Sequence, residues 1–272
     1  MMPVHSLPAA RRSFDRLAFA LFVAMLLPAP GLHAEGRYAW KAAAQPDADT
    51  LAARFPPPAG FERVAAAPGS WAEWLRGLPL KPDGAPVLTY TGGKKWRQDV
   101  HAAVVDIDVG TRDLQQCADA VMRLRAEWLF ASGRQKEIAF NDTDGKRRRF
   151  SALSRQDYAG LRKYMDLVFA YAGTFSLERE LKPASIETLE AGDIFIKGGF
   201  PGHAVLVADL ARNVSTGEVR FLLLQSYMPA QDIHVLKNPA STDGSPWYST
   251  NFGSQLVTPE WVFLRTALKR WP

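Results

Sequence analysis

Cys117 is the only cysteine of the 272-residue chain, so its thiol has no partner for an intrachain disulfide. A thiol beside a histidine can lose its proton and attack a carbonyl carbon, which is the chemistry of cysteine hydrolases. His203 follows a glycine-rich loop, residues 198–202, and opens a predicted strand. These two residues are therefore a candidate nucleophile and a candidate base. The alternative is a buried, inert cysteine.

A third polar residue could orient the histidine. The strand that begins at His203 and the strand that ends at Gln225 are predicted to form an antiparallel hairpin. If Asp209 faces Val219 across the turn, His203 lies opposite Gln225. Gln225, or Ser226 beside it, would then bind one ring nitrogen and leave the other facing the nucleophile. Asp209 lies about 20 Å along the strand from His203, too far for this role.

The helix that carries Cys117 decides what the thiol can do. We expect Asp113 to be its N-cap, which places Cys117 near free backbone N–H groups. Such groups lower a thiol pKa and can stabilise an oxyanion. The apolar residues of this helix recur at spacings of three and four: Leu114, Cys117, Val121, Leu124 and Trp128. Because Cys117 belongs to this stripe, the sequence leaves both a catalytic and a buried thiol open.

One segment resembles the motif of a known hydrolase family. GDIFIKGGFPGHAVLVAD, residues 192–209, is similar to the GD…GHVGIY strand pair of the papain-like cell-wall peptidases of NlpC type. The matching positions are Gly192, Asp193, Gly202 and His203. In that family the Gly-Asp pair is structural and the histidine polarises the thiol. The family's Asp-Cys-Ser is absent, because Gln116 precedes Cys117 and an alanine follows it.

This resemblance implies an α+β fold. Its papain-like core, a Cys helix packed on an antiparallel sheet, would cover approximately residues 113–236, with an N-terminal α/β extension before it. Two early strands, two long helices and a late β-rich part agree with an α+β chain.

Longer motifs resemble a second family over nearly all of the chain that follows the N-terminal segment. They are LQQCADAVMRLRAEWL, YAGTFSLERELKP, GDIFIKGGFPGHAVLVAD, LLLQSYMPAQDIHVLKNP and TPEWVF. Together they resemble a bacterial family of exported proteins known only as a domain of unknown function. This resemblance implies that the QSYMPAQ segment forms one motif with the histidine strand. We expect Gln116, Ser226 and Tyr227 to bind substrate beside the catalytic residues.

Local patterns predict the other elements. Ser70 caps a short helix, and Thr258 caps a helix that ends the chain. A turn at NDTDG, residues 141–145, joins a predicted hairpin. Further segments are predicted as strands over 86–90 and 101–109 and as a helix over 156–172.

The N-terminus predicts export. A basic head with Arg11, Arg12 and Arg16 precedes an apolar run, residues 17–27, which is typical of a secretory signal peptide over residues 1–34. The paired arginines also resemble a twin-arginine signal. Residues 35–60 are rich in Ala and Pro and are predicted as a tether, and residues 61–272 as a single domain. The apolar run is too short for a membrane span of about 20 residues, so we expect a periplasmic or secreted protein.

These patterns favour an exported cysteine hydrolase or amidase acting on peptidoglycan stem peptides or a related acyl or amide conjugate. Cys117 would attack, His203 would act as base and acid, and Gln225 would orient the ring. The alternative is a non-catalytic periplasmic binding module that uses the same cleft. Removal of the predicted signal peptide would lower the net charge from +5 to 30 − 27 = +3, which is too small to indicate nucleic acid binding. No His, Cys or carboxylate pair has helical metal-ligand spacing, so neither a metal nor another cofactor is expected.

Overall fold

The computed structural model describes residue 1, residue 3, residues 37–41 and residues 49–272. The predicted signal peptide therefore lies almost entirely outside the described residues, as does part of the predicted tether. The α-helices of the described part are α1 (Leu51–Arg54), α2 (Trp71–Arg76), α3 (Cys117–Ala131), α4 (Tyr158–Tyr171) and α5 (Thr174–Glu180). None of these described helices has the length and apolar character that crossing a membrane requires.

The strands form one large antiparallel sheet and two hairpins. Before the second half of the chain come β1 (Phe61–Arg63), β2 (His101–Val104), β3 (Ala139–Asn141), β4 (Arg147–Arg149) and β5 (Lys182–Pro183). Then follow β6 (Ile194–Lys197), β7 (His203–Asn213), β8 (Val219–Gln225), β9 (His234–Leu236), β10 (Tyr248–Ser249), β11 (Gln255–Val257), β12 (Val262–Leu264) and β13 (Leu268–Arg270).

The nine-stranded sheet is built around β7 and β8. Its order is β2-β9-β8-β7-β6-β13-β5, with β1 added to β7 and β10 added to β8. β7 has eleven residues, so its first part pairs with β6 and its last part with β1. The long central strand thus binds both early and late segments of the chain into one sheet.

Both faces of the central strands are buried. Along β7, Ala204 and Leu206 belong to the core beneath α3 and α4, whereas Val205 and Val207 face a second core. The β11–β12 hairpin covers that second face with Leu256 and other apolar side chains. Because both faces are covered, residues 204–208 of β7 form a continuous apolar run.

The expected α+β fold with a papain-like core is wrong. The dominant element is the nine-stranded antiparallel sheet, and helices are few in the described residues. The expected N-terminal α/β extension does not form either, because β1 and β2 pair antiparallel with β7 and β9 of the same sheet. Local patterns could not show this, since both pairings join segments more than 100 residues apart.

Several local predictions are confirmed. Ser70 is the N-cap of α2 and accepts a hydrogen bond from the backbone N–H of Glu73. The hairpin around NDTDG forms as β3 and β4, and α4 covers most of the helix predicted over residues 156–172. The strand predicted over 101–109 is shorter, because β2 ends at Val104. The predicted strand over 86–90 makes only isolated bridges.

The predicted C-terminal helix is wrong. Residues 255–270 form β11, β12 and β13. The Thr258 hydroxyl accepts from the backbone N–H of Trp261 and donates to its carbonyl oxygen, so Thr258 closes the β11–β12 turn. Phe263 alternates with exposed neighbours, Val262 and Leu264, which is the period of a strand.

Candidate functional site

Cys117 is the first residue of α3, and Gln116 is the N-cap. The prediction that Asp113 caps this helix is wrong. The Asp113 carboxylate instead accepts from the backbone N–H of Ala230 at 2.6 Å and from Gln116 Nε2 at 3.1 Å. The first turn is closed by Asp119, which accepts from the backbone N–H of Gln116 at 3.0 Å. The thiol therefore lies at the helix N-terminus and not one turn inside.

The thiol is nonetheless largely buried, with 8% of Cys117 exposed. Burial, together with the nearby carboxyl of Asp119, raises the pKa of Cys117 to about 11. Hydrogen bonds from the backbone N–H groups of Ala118 and Ala204 favour the thiolate but do not outweigh burial. The contact with Ala204 places the sulfur beside the start of β7, on the face that packs against α3. The ring of His203 packs instead on Phe263 in the second core, and neither His203 nor Gln225 lines the cleft that contains Cys117.

His203 and Gln225 meet, although the predicted register is wrong. His203 Nε2 lies 2.9 Å from Gln225 Oε1. Leu206 pairs with Leu224, and a bulge before Asp209 sets that residue opposite Leu222, not Val219. The strands are thus shifted by two residues from the prediction near His203. A shift of two keeps a side chain on the same face, so the contact survives as a diagonal pair.

Hydrogen bonds around Gln225 fix its amide and the tautomers of two histidines. Gln225 Nε2 donates to Glu260 Oε2 at 2.7 Å, so the amide oxygen faces His203. The ring of His203 must then carry its proton on Nε2, which leaves a lone pair on Nδ1. The other N–H of Gln225 meets His234 Nε2 at 3.3 Å, and His234 Nδ1 donates to the Asp232 carbonyl. All these contacts agree with two neutral imidazoles.

Glu260 and Lys95 extend this network, and sequence reasoning missed both. Lys95 Nζ lies 2.8 Å from Glu260 Oε1, and both side chains are nearly inaccessible to solvent. Lys95 also lies 4.9 Å from the ring centre of Tyr227. The segment that contains Glu260 was predicted to be helical, and a helix would not direct this carboxylate at Gln225. No local signal identifies Lys95, because its partners come from the far end of the chain.

Aromatic rings enclose His203. Their centres lie 4.8 Å (Tyr227), 5.3 Å (Trp261) and 5.8 Å (Phe263) from the imidazole centre. Burial lowers the pKa of His203 to about 4, and the positive charge of Lys95 acts in the same direction, whereas the hydrogen bond that His203 donates to Gln225 opposes this shift. Complete burial likewise lowers the pKa of His234 to about 3. Both rings are therefore neutral at neutral pH.

A cleft of about 360 Å³ opens at the start of α3. Gln116, Cys117 and Asp119 line it from the helix, and Phe200 and Met228 from two loops. Phe200 and Met228 are largely exposed apolar side chains. One oxygen of Asp119, Oδ1, is buried and has no hydrogen-bond partner among the described residues.

The loop wall of this cleft depends on close backbone packing. A Cβ at Gly202 would lie 2.3 Å from Thr174 Oγ1 and 2.5 Å from the Gly199 carbonyl oxygen. The lack of a side chain at Gly202, the residue before His203, therefore allows the loop to pack closely against the start of α5. Thr174 also donates to Gly199, which joins the loop to the helix.

The predicted substrate-binding residues take three different positions. Gln116 lines the cleft. Ser226 is buried, and its single O–H lies between the carbonyl oxygens of Gln231 at 2.9 Å and Gln115 at 3.1 Å, so it connects the end of β8 with the start of α3. Tyr227 packs on the His203 ring and lines a separate surface pocket with Trp261. In the described residues, no group of three His, Cys, Asp or Glu side chains is arranged to hold a metal ion.

Comparison with curated proteins and with solved structures gives no match. A family model described as a domain of unknown function (4846) matches residues 51–155 and 151–270. These matches span most of the chain, including Cys117 and the whole histidine network. The chain belongs to this domain-of-unknown-function family.

Proposed function

We propose that the protein is an exported cysteine hydrolase or amidase with Cys117 as nucleophile, His203 as base and Gln225 as the residue that orients the ring. The observation that carries this proposal is the hydrogen bond between His203 Nε2 and Gln225 Oε1. Because Glu260 fixes the amide, His203 keeps an unprotonated Nδ1. The backbone N–H of the next residue, Ala204, contacts the Cys117 thiol. Because the His203 ring packs on Phe263 on the other face of β7, the proposed reaction requires this ring to reach the thiol around the start of the strand.

Both reacting groups are neutral before the reaction. The thiol pKa is about 11 and the imidazole pKa about 4, so a resting thiolate–imidazolium pair does not form. Proton transfer to His203 Nδ1 would therefore accompany attack of sulfur on the carbonyl carbon. The first backbone N–H groups of α3 would stabilise the resulting oxyanion.

Collapse of this intermediate breaks the C–N bond, and the imidazolium of His203 returns its proton to the leaving amine. The product is a thioester on Cys117 and a free amine. His203 then accepts a proton from water as the water oxygen attacks the thioester. The C–S bond breaks, and the proton returns to the thiol as the carboxylic acid leaves.

The cleft supports an amide substrate with N–H donors. Its lining includes the carboxyl groups of Asp113 and Asp119, and no Lys or Arg lines it among the described residues. The unpartnered Oδ1 of Asp119 could accept from a substrate N–H, while Phe200 and Met228 offer apolar walls. Peptidoglycan stem peptides are the first class to test, since the N-terminus predicts export.

A second candidate function is a binding module that uses the same cleft without catalysis. The observation that favours it is the burial of the thiol, which raises its pKa. Such a protein would bind stem-peptide fragments but leave them intact.

Incubation with purified peptidoglycan fragments, followed by mass spectrometry of products and of the intact protein, separates the two functions. A hydrolase yields free amine product and a transient acyl adduct, and Cys117→Ala abolishes both. His101→Gln is the matched control for His203→Gln, because the side-chain hydrogen bond of His101 joins it to the Ala85 carbonyl oxygen and not to Gln225, so this variant should leave turnover unchanged. Unchanged turnover in Cys117→Ala would rule out this mechanism. Binding of fragments without turnover in the wild type would favour the binding module.

A further inference from the structure

A second pocket, of about 370 Å³, lies further along α3 and shares no lining residue with the Cys117 cleft. Arg125, Trp71 and Trp271 line it together with Gly192 and Arg270. Arg125 is eight residues after Cys117, which is about 12 Å along the helix axis.

Arg125 is surrounded by indole rings. Its guanidinium carbon lies 4.6 Å from the ring centre of Trp128, 5.6 Å from that of Trp271 and 5.8 Å from that of Trp71. In the described residues, Arg125 is the one arginine at least partly buried that has neither a hydrogen-bond acceptor nor a carboxylate partner. Burial and the nearby Arg134 lower its pKa to about 10, so it remains charged at neutral pH.

Two further donors at this pocket lack acceptors. Trp71 Nε1 and Trp271 Nε1 are buried and have no hydrogen-bond partner in the described part of the chain. Buried indole N–H groups normally find a partner. Trp71 is itself more than nine-tenths buried, and a Cβ at Gly192 would lie 2.2 Å from its Nε1. The absence of a side chain at Gly192 therefore allows its backbone to pack closely beside the edge of the indole that carries the N–H.

Both carboxylates in the pocket lining already have the same salt-bridge partner, Arg270. Arg270 binds Asp193 at 2.6 Å and Glu190 at 2.8 Å. The remaining unpaired groups in the lining are thus a cation and two N–H donors. This set is complementary to an anion, and the volume suits a small molecule.

We propose that this pocket binds a small molecule through an anionic group, a carboxylate or a phosphate, held by Arg125 and the indole N–H groups of Trp71 and Trp271. The proposal is independent of the chemistry of Cys117. A planar guanidinium matches both oxyanions, so their shared chemistry is what the site recognises.

Titration of the ¹⁵N-labelled protein tests the proposal directly. Sodium phosphate and sodium acetate are added separately at constant ionic strength, with sodium chloride as the reference salt. We expect saturable shifts of two indole N–H resonances, which Trp71→Phe and Trp271→Phe identify. A shift with phosphate alone supports a phosphate-bearing ligand, and one with acetate alone supports a carboxylate. Absence of a saturable shift with either anion in the wild type overturns the proposal without any variant.

Arg125→Met then tests the cation. We expect at least a tenfold weaker apparent affinity for the anion that binds. The matched control is Arg179→Met, because Arg179 also lies over an aromatic ring, 4.1 Å from the Phe175 ring centre, but is exposed and outside the pocket. Equal affinity of Arg125→Met and wild type would overturn the assignment of Arg125.

Discussion

Gln225 determines which ring nitrogen of His203 carries the proton, because the amide of Gln225 is itself fixed by Glu260. Gln225 uses its amide oxygen for His203 and its two N–H groups for Glu260 and His234. Its amide therefore cannot rotate without losing several buried hydrogen bonds. In the proposed reaction Gln225 is a positioning residue, because it acts through His203.

Removal of the Gln225 amide should reduce turnover and shift its pH dependence. In Gln225→Leu we expect kcat to fall about 10- to 100-fold with KM little changed. The wild-type rate should fall as pH drops through about 4, where His203 takes up a proton. Since the Gln225 hydrogen bond raises the pKa of His203, this limb should move to lower pH in the variant.

Gln231→Leu is the matched control for this pH profile. Gln231 is a buried glutamine whose side-chain amide has no hydrogen-bond partner among the described residues. The fall in the turnover rate of Gln231→Leu at low pH should therefore match that of the wild type. An unchanged acid limb in Gln225→Leu would contradict the positioning role.

The Cys117 thiol should react slowly with a neutral alkylating agent at pH 7.5. Its pKa is raised to about 11 by burial and by Asp119, so only a small fraction is thiolate. The rate of iodoacetamide labelling should still be rising at pH 10. Labelling in denaturant, where an ordinary thiol has a pKa of about 8.5, gives the reference curve. If the labelling rate of the folded protein reached its midpoint at or below pH 8.5, the helix N-terminus would lower the thiol pKa by more than burial raises it.

At the scale of elements, the sequence predicted helices and hairpins well and long-range pairing poorly. Ser70, the NDTDG turn and the apolar stripe of α3 carry local signals, and the corresponding elements formed. The C-terminal segment was misread because TPEW resembles a capping sequence, whereas burial behind β7 favours strands. His203 met Gln225 despite a wrong register, because the error was two residues and the face was conserved.

The ion pair between Arg123 and Glu127 shows that residue spacing in the sequence does not predict whether a pair is buried or exposed. Arg123 and Glu127 have helical i, i+4 spacing, which predicts a surface pair, yet both side chains are fully buried. Arg123 also donates to Gln115 Oε1 at 2.7 Å and to Asp108. The segment before α3 therefore encloses this side of the helix together with α4, whose Tyr158 hydroxyl donates to Glu127 Oε1 at 3.1 Å.

Arg123→Met should destabilise the protein strongly, because it leaves Glu127 buried without its cation. We expect a loss of about 3–5 kcal/mol in the free energy of unfolding, measured by urea denaturation. The double variant Arg123→Met/Glu127→Leu should recover part of this loss. Equal stability of the double and the single variant would contradict the pairing as the cause.

At the scale of the molecule, α3 joins the two candidate sites. Cys117 opens the helix at the cleft, and Arg125 faces the second pocket from its middle. The polar network around Gln225 connects β7, β8 and β9 with the turn that follows β11. Protonation in this network should therefore affect the stability of the whole sheet as well as the proposed reaction.

Stability should decline as pH falls below 6.5. The folded state lowers the pKa of His203 to about 4 and that of His234 to about 3, from an ordinary 6.5. Above 6.5 both rings are neutral in the folded and the unfolded chain. Below 6.5 the unfolded chain binds protons that the folded chain does not, which costs about 1.4 kcal/mol per pH unit for each histidine.

Urea denaturation between pH 7 and pH 4.5 measures this slope. Carboxylates whose pKa is lowered in the folded state, such as Glu187, add to it mainly below their ordinary value of 4.5. His203→Gln and His234→Gln should each reduce the slope by about 1.4 kcal/mol per pH unit, whatever their effect on stability at pH 7. His101, whose pKa burial also lowers, adds to the slope that remains, and the buried carboxyl groups of Asp119 and Glu127, whose pKa values burial raises, oppose it. Retention of the full slope in both variants would show that these imidazoles are not kept neutral by the fold, and the proton assignment around Gln225 would then be wrong.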